Sequence, residues 1–416
     1  MNQPEKQILL TPVLRLFLGT MVLANVAGSM FGFFLPLYLT ELGASVTQVG
    51  LAFTLASLVP LVLQIFGGYL SDSIGRLQTI AIGSVGGVLG YIGLVFAPTW
   101  GWALVAMGLG NVARSMVGPS FASFIAEQST EENRGRVFGV SEAIFMIVDV
   151  IGPPLGGFIA GLYGFRNMLV VAAALYTAAA IIRVWMARNT KFTGDKEPEE
   201  LSLATLRQKL GSMVAMILGG GIVFWLLITD GARDVAFRLS SELMPLYLED
   251  IGGLTVNQIG ILGSMLGIGW MVSTVPAGWL ADKRSERVAI IAGFLIQSVS
   301  FMVFLNVSSF FGYAVSWFLF GSGIGTMMPA FQSLISKAVP DNLRGTAFGL
   351  FQSSLGLISL PAPWIGAQLW TRFTPRLPFY LTAIILMLSA IPAWLKFRIP
   401  KEQDPEVLEA KVTATD

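Results

Sequence analysis

Long apolar runs, interrupted at intervals by a few charged or turn-forming residues, dominate the chain. Between Arg15 and Arg114 the only charged residues are Glu41, Asp72 and Arg76. They divide that stretch into apolar runs near 16–40, 46–70 and 77–97, and a fourth begins at Trp100. A helix needs about 20 mostly apolar residues to cross the hydrocarbon of a bilayer, so each run reads as one span. The pattern continues at 99–125, 136–162, 166–187, 215–248, 255–280, 287–306, 309–337, 345–370 and 377–397. Twelve spanning helices are expected. A transmembrane β-barrel would instead show alternating strands of about ten residues. The first run is longer than a signal-peptide core and has no small-residue cleavage site, so no removed leader is expected.

Composition agrees with the pattern. Of the 416 residues 54% are apolar and only 12% charged, whereas a soluble domain carries about 25% charged residues. The mean hydropathy is +0.71. Glycine is abundant, at 46 residues, which suits close packing of membrane helices. The expected fold class is an all-α integral membrane protein, multi-pass in the cell membrane (the inner one where there are two). The chain contains no Cys, which excludes disulfides, thiolate metal sites and Cys nucleophiles. It contains no His, which excludes imidazole ligands, Ser-His catalysis and histidine proton relays. No cofactor, metal or enzymatic activity is therefore expected. A net charge of +1 gives no general attraction to nucleic acid.

Lys and Arg set the expected orientation. Most of them fall at the termini and in even-numbered loops, including Arg76, Arg134, Arg136, Lys283, Arg284, Arg287 and Arg344; Arg166, Arg372 and Arg376 fall on the other face. Both termini are thus expected in the cytoplasm. The polar stretch 189–210, with Pro198 and a charge run, reads as a cytoplasmic linker. It separates an N-terminal six-helix half (1–188) from a C-terminal six-helix half (211–400), and 401–416 reads as a cytoplasmic tail.

The two halves are copies. Pro36-Leu37-Tyr38-Leu39 returns 209 residues on as Pro245-Leu246-Tyr247-Leu248. One residue is then inserted, and at an offset of 210 Gln48 and Gly50 match Gln258 and Gly260. In the same register Gly68, Leu70 and Asp72 match Gly278, Leu280 and Asp282, and Pro119, Phe121 and Ser123 match Pro329, Phe331 and Ser333. Arg134-Gly135 and Phe138-Gly139 match Arg344-Gly345 and Phe348-Gly349, and Pro153 and Gly156 match Pro363 and Gly366. General apolar similarity would not hold one register through Pro, Gly, Asp and Arg. Two repeats of one topology place a cavity at their interface, and rocking one against the other alternates access to it.

With these features the chain resembles the major facilitator superfamily. Gly68-Tyr69-Leu70-Ser71-Asp72-Ser73-Ile74-Gly75-Arg76 is similar to the family's signature loop after the second span, although two of its basic positions are Ser73 and Leu77. Gly278-Trp279-Leu280-Ala281-Asp282-Lys283-Arg284 is a degenerate second copy. Arg114-Ser115-Met116-Val117-Gly118 resembles the family's motif in span four. In span five, Gly152-Pro153-Pro154-Leu155-Gly156-Gly157 resembles the core motif of the twelve-span drug/proton antiporters, with Val148 where a further Gly is usual. A plain packing interface accounts for Gly152, Pro153, Gly156 and Gly157 equally well. The resemblance implies a gate at the cytoplasmic helix ends formed by Asp72, Arg76 and Glu127, echoed at Asp282. It also implies that spans 1, 4, 7 and 10 line the central path.

Charges inside spans are costly and mark function by default. Arg114 and Asp149 lie mid-span and are expected to face one another, as a proton-binding pair or a static ion pair. Arg183 is read as snorkelling to the headgroups. Span seven holds Asp230, Arg233, Asp234, Arg238 and Glu242; four of these are spaced by four and share one helix face. By repeat alignment this stripe lies at the depth of Asn25. Asn25, Arg114, Asp230, Arg233, Asp234 and Arg238 are therefore the candidate substrate-binding residues, and Asp149 and Asp234 the candidate proton carriers. No phosphate-binding Gly-x-x-x-x-Gly-Lys-Ser/Thr loop occurs, so a gradient of protons or another ion must drive transport. The expectation is a monomeric exporter of small amphipathic or drug-like molecules, coupled to protons. An importer or exchanger of a sugar or organic acid is the alternative, and a membrane enzyme is a remote one.

Overall fold

The computed structural model describes residues 10–189, 211, 221–338 and 356–397, with the side chains of all but 61, 62, 64–69 and 72. Its elements, in chain order, are α1 (Pro12–Gly32), α2 (Leu35–Glu41), α3 (Val46–Ile74), α4 (Arg76–Val95), α5 (Trp100–Glu127), α6 (Arg134–Tyr163) and α7 (Phe165–Asn189). They continue with α8 (Gly221–Ser240), a 3-10 turn (Ser241–Leu243), α9 (Met244–Asp250), α10 (Val256–Lys283) and α11 (Glu286–Asn306). α12 (Phe310–Ala338), α13 (Ala362–Arg372) and α14 (Leu377–Lys396) follow. No strand occurs among the described residues. Among the described residues, eight helices (α1, α4, α6, α7, α10, α11, α12 and α14) are long and apolar enough to cross a membrane. Linker residues 190–210, the tail 401–416, and the repeat positions Arg344, Gly345, Phe348 and Gly349 lie outside the described residues.

The repeated residues have local structural reasons. Gln48 closes a capping box at the start of α3: Ser45 N donates to its Oε1 at 2.8 Å, and Gln48 N donates to Ser45 Oγ at 3.4 Å. Its mate Gln258 does the same for α10 through Thr255, at 2.9 and 3.4 Å. The Pro-Leu-Tyr-Leu repeat marks a helix break that the hydrophobic pattern does not reveal. The run at 16–40 is two helices: α1 ends at Gly32, and Pro36 falls in the first turn of α2, where its missing N–H costs no helical bond. Pro245 does the same for α9.

The chain forms two compact units. The first comprises Met1–Glu200, Glu242–Gly267 and Pro363–Arg372; the second comprises Leu201–Ser241, Ile268–Ala362 and Phe373–Asp416. Within the first, α1 packs on α6 and α7, and α4 on α5 and α7. Leu14, Phe17, Leu18, Leu77, Ile80, Phe124 and Ile125 form a buried cluster among them. Within the second, α11 packs on α12 and α14, and α14 on α8. Ile82, Val85, Leu89 and Ile92 of α4 are exposed. Their spacing makes one apolar stripe, as a lipid-facing helix surface requires.

Candidate functional site

The charged stripe of α8 folds onto itself. Arg233 Nε donates to Asp230 Oδ1 at 2.7 Å, and Arg238 Nε donates to Asp234 Oδ2 at 3.1 Å. Both are pairs between neighbours on one helix surface, three and four residues apart. Asp230 is buried, and Arg233, Asp234 and Arg238 are partly buried. Both guanidinium groups are thus engaged by carboxylates of their own helix.

In the first unit, Asn25 is exposed on α1 and its amide donates to Met21 O at 2.8 Å. Arg114 is exposed on α5 and Asp149 exposed on α6. No ion pair joins them, contrary to the expectation that they face each other across the half. Asp149 instead has Ser29 of α1 beside it, with no basic group at ion-pair distance among the described residues. Its neighbour Val148 is the buried one.

Arg183 also departs from expectation. It is 1% exposed. Its Nη1 donates to Ser84 Oγ at 2.9 Å and its Nε to Thr20 Oγ1 at 3.2 Å, while Nη2 lies 3.3 Å from Thr20 O and 2.7 Å from Met21 Sδ. It cross-links α7, α4 and α1. Side chains tilt toward a helix N-terminus, which in α7 means away from Asn189 and the headgroups that snorkelling would need.

The glycines of α6 make the tightest packing in the first unit. A Cβ at Gly156 would overlap Met30 O and lie 3.0 Å from Met30 Cα, and one at Gly152 would strike the Ser29 side chain. A Cβ at Gly157 would lie 2.9 Å from Val256 O and 3.1 Å from Gly260 Cα of α10. This seam occurs twice, in the register of the repeat. A Cβ at Gly260 would meet Pro153 O at 2.6 Å, and one at its mate Gly50 would meet Pro363 O at 2.5 Å. Pro154 cannot donate to the carbonyl of Val150 four residues back, and the hydroxyl of Ser264 fills the vacancy at 2.6 Å. The mate of Ser264 is Thr54, whose hydroxyl accepts from Trp364 N, the mate of Pro154, at 3.2 Å.

The residues expected to form a gate lie at the other ends of the first-unit helices. Arg76 Nε donates to Glu127 Oε1 at 2.9 Å, and its Nη1 to Ser71 Oγ at 3.1 Å. The side chain of Asp72 lies outside the described residues. Asp282 is exposed near the end of α10. A third acidic group, unremarked in the sequence, ends α2 and α9. Glu249 and Asp250 stand with Glu41 nearby, and α2 packs on α9. Solvent reaches these side chains, yet burial of their surroundings pushes the Glu249 carboxyl above its ordinary value, helped by the charges of Asp250 and Glu41. Burial also raises Asp250.

The model of the Major Facilitator Superfamily matches residues 16–252 and 234–414. The chain belongs to the major facilitator superfamily. It is therefore a multi-pass membrane transporter, and this superfamily moves small molecules rather than transforming them. It is 26% identical over 374 residues to the "Multi-drug resistance efflux pump PmrA homolog" of Lactococcus lactis, covering 88% of this chain and 90% of that one. It is 25% identical over 378 residues to "Multidrug resistance protein MdtG" of Proteus mirabilis, covering 89% and 92%. Among solved structures it resembles a bacterial homologue of ferroportin in the inward-facing state (TM-score 0.75, 13% identity, covering 94% and 100%). It also resembles a D-xylose-proton symporter (TM-score 0.71, 16% identity, covering 94% and 98%). At such identities these two speak for the superfamily fold.

Proposed function

We propose that this transporter exports small amphipathic molecules in exchange for protons, with both termini in the cytoplasm. Asp149 is the proton carrier, and this one observation carries the reading: a mid-helix carboxylate, exposed on α6, with no basic partner among the described residues. Asp234, the other candidate carrier, is already engaged by Arg238. The names of the relatives support efflux of drug-like cargo. With Arg233 and Arg238 each engaged by an aspartate, α8 itself offers no spare cation to an organic acid, and among the candidate residues that role would fall to the exposed Arg114. Asn25 and Arg114 are the candidate substrate contacts of the first unit, and the α8 ladder those of the second. Arg76 and Glu127 gate the cytoplasmic end of the substrate path, and the paired glycine seams of α6 with α10 and α3 with α13 close the end remote from the termini.

The test is the direction of coupling. Proteoliposomes with an acidic lumen should accumulate an amphipathic cationic dye. Accumulation only when the outside is acidic would replace exchange by symport.

A further inference from the structure

At the repeat offset of 210, the mates of Arg76 and Glu127 are Glu286 and Lys337. These mates are also paired: Lys337 Nζ lies 2.6 Å from Glu286 Oε1. Each half thus ties the first residue of one helix (α4 or α11) to the end of the next (α5 or α12). The geometry is shared down to exposure. The member at the helix start is the more covered, 22% for Arg76 and 13% for Glu286, and its partner is about half exposed. The signs are reversed.

That reversal meets a fixed polarity. A helix carries partial positive charge at its start and partial negative charge at its end. Arg76 opens α4 and Glu127 closes α5, so each side chain of the first pair has the sign of the helix end it belongs to, although Arg76 also reaches Ser71 in the last turn of α3. Glu286 opens α11 and Lys337 sits in the last turn of α12, so both side chains of the second pair face helix charge of the opposite sign. The caps reinforce the difference. Gly75 offers no side-chain cap to α4, whereas Ser285 accepts from Val288 N at 3.4 Å at the start of α11. A serine bond is common to both pairs, from Ser333 to Glu286 at 3.0 Å and from Arg76 to Ser71 at 3.1 Å, so the cap is what differs.

The geometry points to two unlike devices built from one repeated contact: Glu286, Lys337 and Ser333 form a fixed clasp, and Arg76 with Glu127 forms a latch that releases during the transport cycle. The helix ends hold the clasp shut and bias the latch toward opening, so one half loosens at its cytoplasmic end while the other stays rigid. The assignment rests on the gating reading of Arg76 and Glu127.

Thr79 and Ala289 are also repeat mates, one turn inside each pair, and both are 0% exposed. The Thr79 hydroxyl has no hydrogen-bond partner, so Thr79→Cys and Ala289→Cys are mild probes in a Cys-free chain. Labelling of each by a small maleimide reports how often its pair opens. Thr79→Cys should label about tenfold faster than Ala289→Cys, a ratio of the size expected for two charges at opposed rather than matched helix ends. Exchanging the signs should invert the behaviour: R76E with E127R slows labelling at 79, and E286K with K337E speeds it at 289. Equal rates at the two probes, or rates unmoved by the exchanges, would overturn the asymmetry; the first comparison needs no change to either pair. Dye transport by the R76E/E127R chain separates the two readings. Slowed labelling with reduced turnover supports both, whereas slowed labelling with unchanged turnover rejects the gate and leaves the asymmetry standing.

Discussion

Replacing Gly156 by Ala should damage this transporter, and the same change at Gly139, on the same helix, should help it. A Cβ at 156 has nowhere to go: it would overlap Met30 O and lie 2.9 Å from the carbonyl carbon and 3.0 Å from Cα. All three are backbone atoms, so α1 and α6 must separate rather than a side chain rotate. Overpacking of this kind costs about 1–3 kcal/mol. Gly139 has no heavy atom within 4 Å of an added Cβ, so Ala there gains about 0.5–1 kcal/mol through helix propensity. The two variants should differ by about 3 kcal/mol, or roughly 6–12 °C in midpoint for a bundle of about 200 residues. Thermal unfolding of the detergent-solubilised protein, followed by tryptophan fluorescence, measures this. A G156A midpoint equal to that of the parent would refute the packing seam, as would G139A falling by the same amount.

Two further outcomes follow from single groups. The raised carboxyl of Glu249 disfavours its charged form in the fold, so its stability penalty is absent below the ordinary glutamate value and appears as pH rises through the raised one; Glu249→Gln should therefore raise the midpoint by about 1 °C at pH 7, an effect kept small by solvent screening, and leave it unchanged near pH 4, and a gain confined to low pH would contradict the assignment. Arg183→Ala should cost about 3 kcal/mol in the same unfolding assay, since it leaves a cavity and removes the bonds that tie α7 to Thr20 and Ser84; a stability loss below 1 kcal/mol would show that the three-helix cross-link is not structural.

Much of the fold was legible because the repeat is written in residues whose roles are geometric. Gln48 and Gln258 cap helices, Pro36 and Pro245 restart them, and Gly50 and Gly260 permit close approach. Such jobs tolerate few replacements, so the register survives where apolar residues drift. The functional site was less legible. An apolar helix such as α6 is hydrophobic nearly all round, so periodicity cannot tell whether Asp149 faces α5, α1 or water. Arg183 was misplaced because its distance from the helix end was weighed without the tilt of its side chain. The α8 stripe was visible as a face, but its consequence lies in the three- and four-residue pairings that neutralise Arg233 and Arg238. The reversed pair at Glu286 and Lys337 was legible in principle from the offset of 210, but only the structure draws attention to it by closing both contacts.

Proton movement coupled to cargo tests the exchange mechanism most directly. In proteoliposomes with an acidic lumen and an entrapped pH dye, adding an amphipathic cationic substrate outside should alkalinise the lumen as substrate enters. In Asp149→Asn that alkalinisation should vanish while exchange of labelled for unlabelled substrate persists. Substrate-driven alkalinisation of parental size in Asp149→Asn would contradict the assignment of Asp149 as the proton carrier.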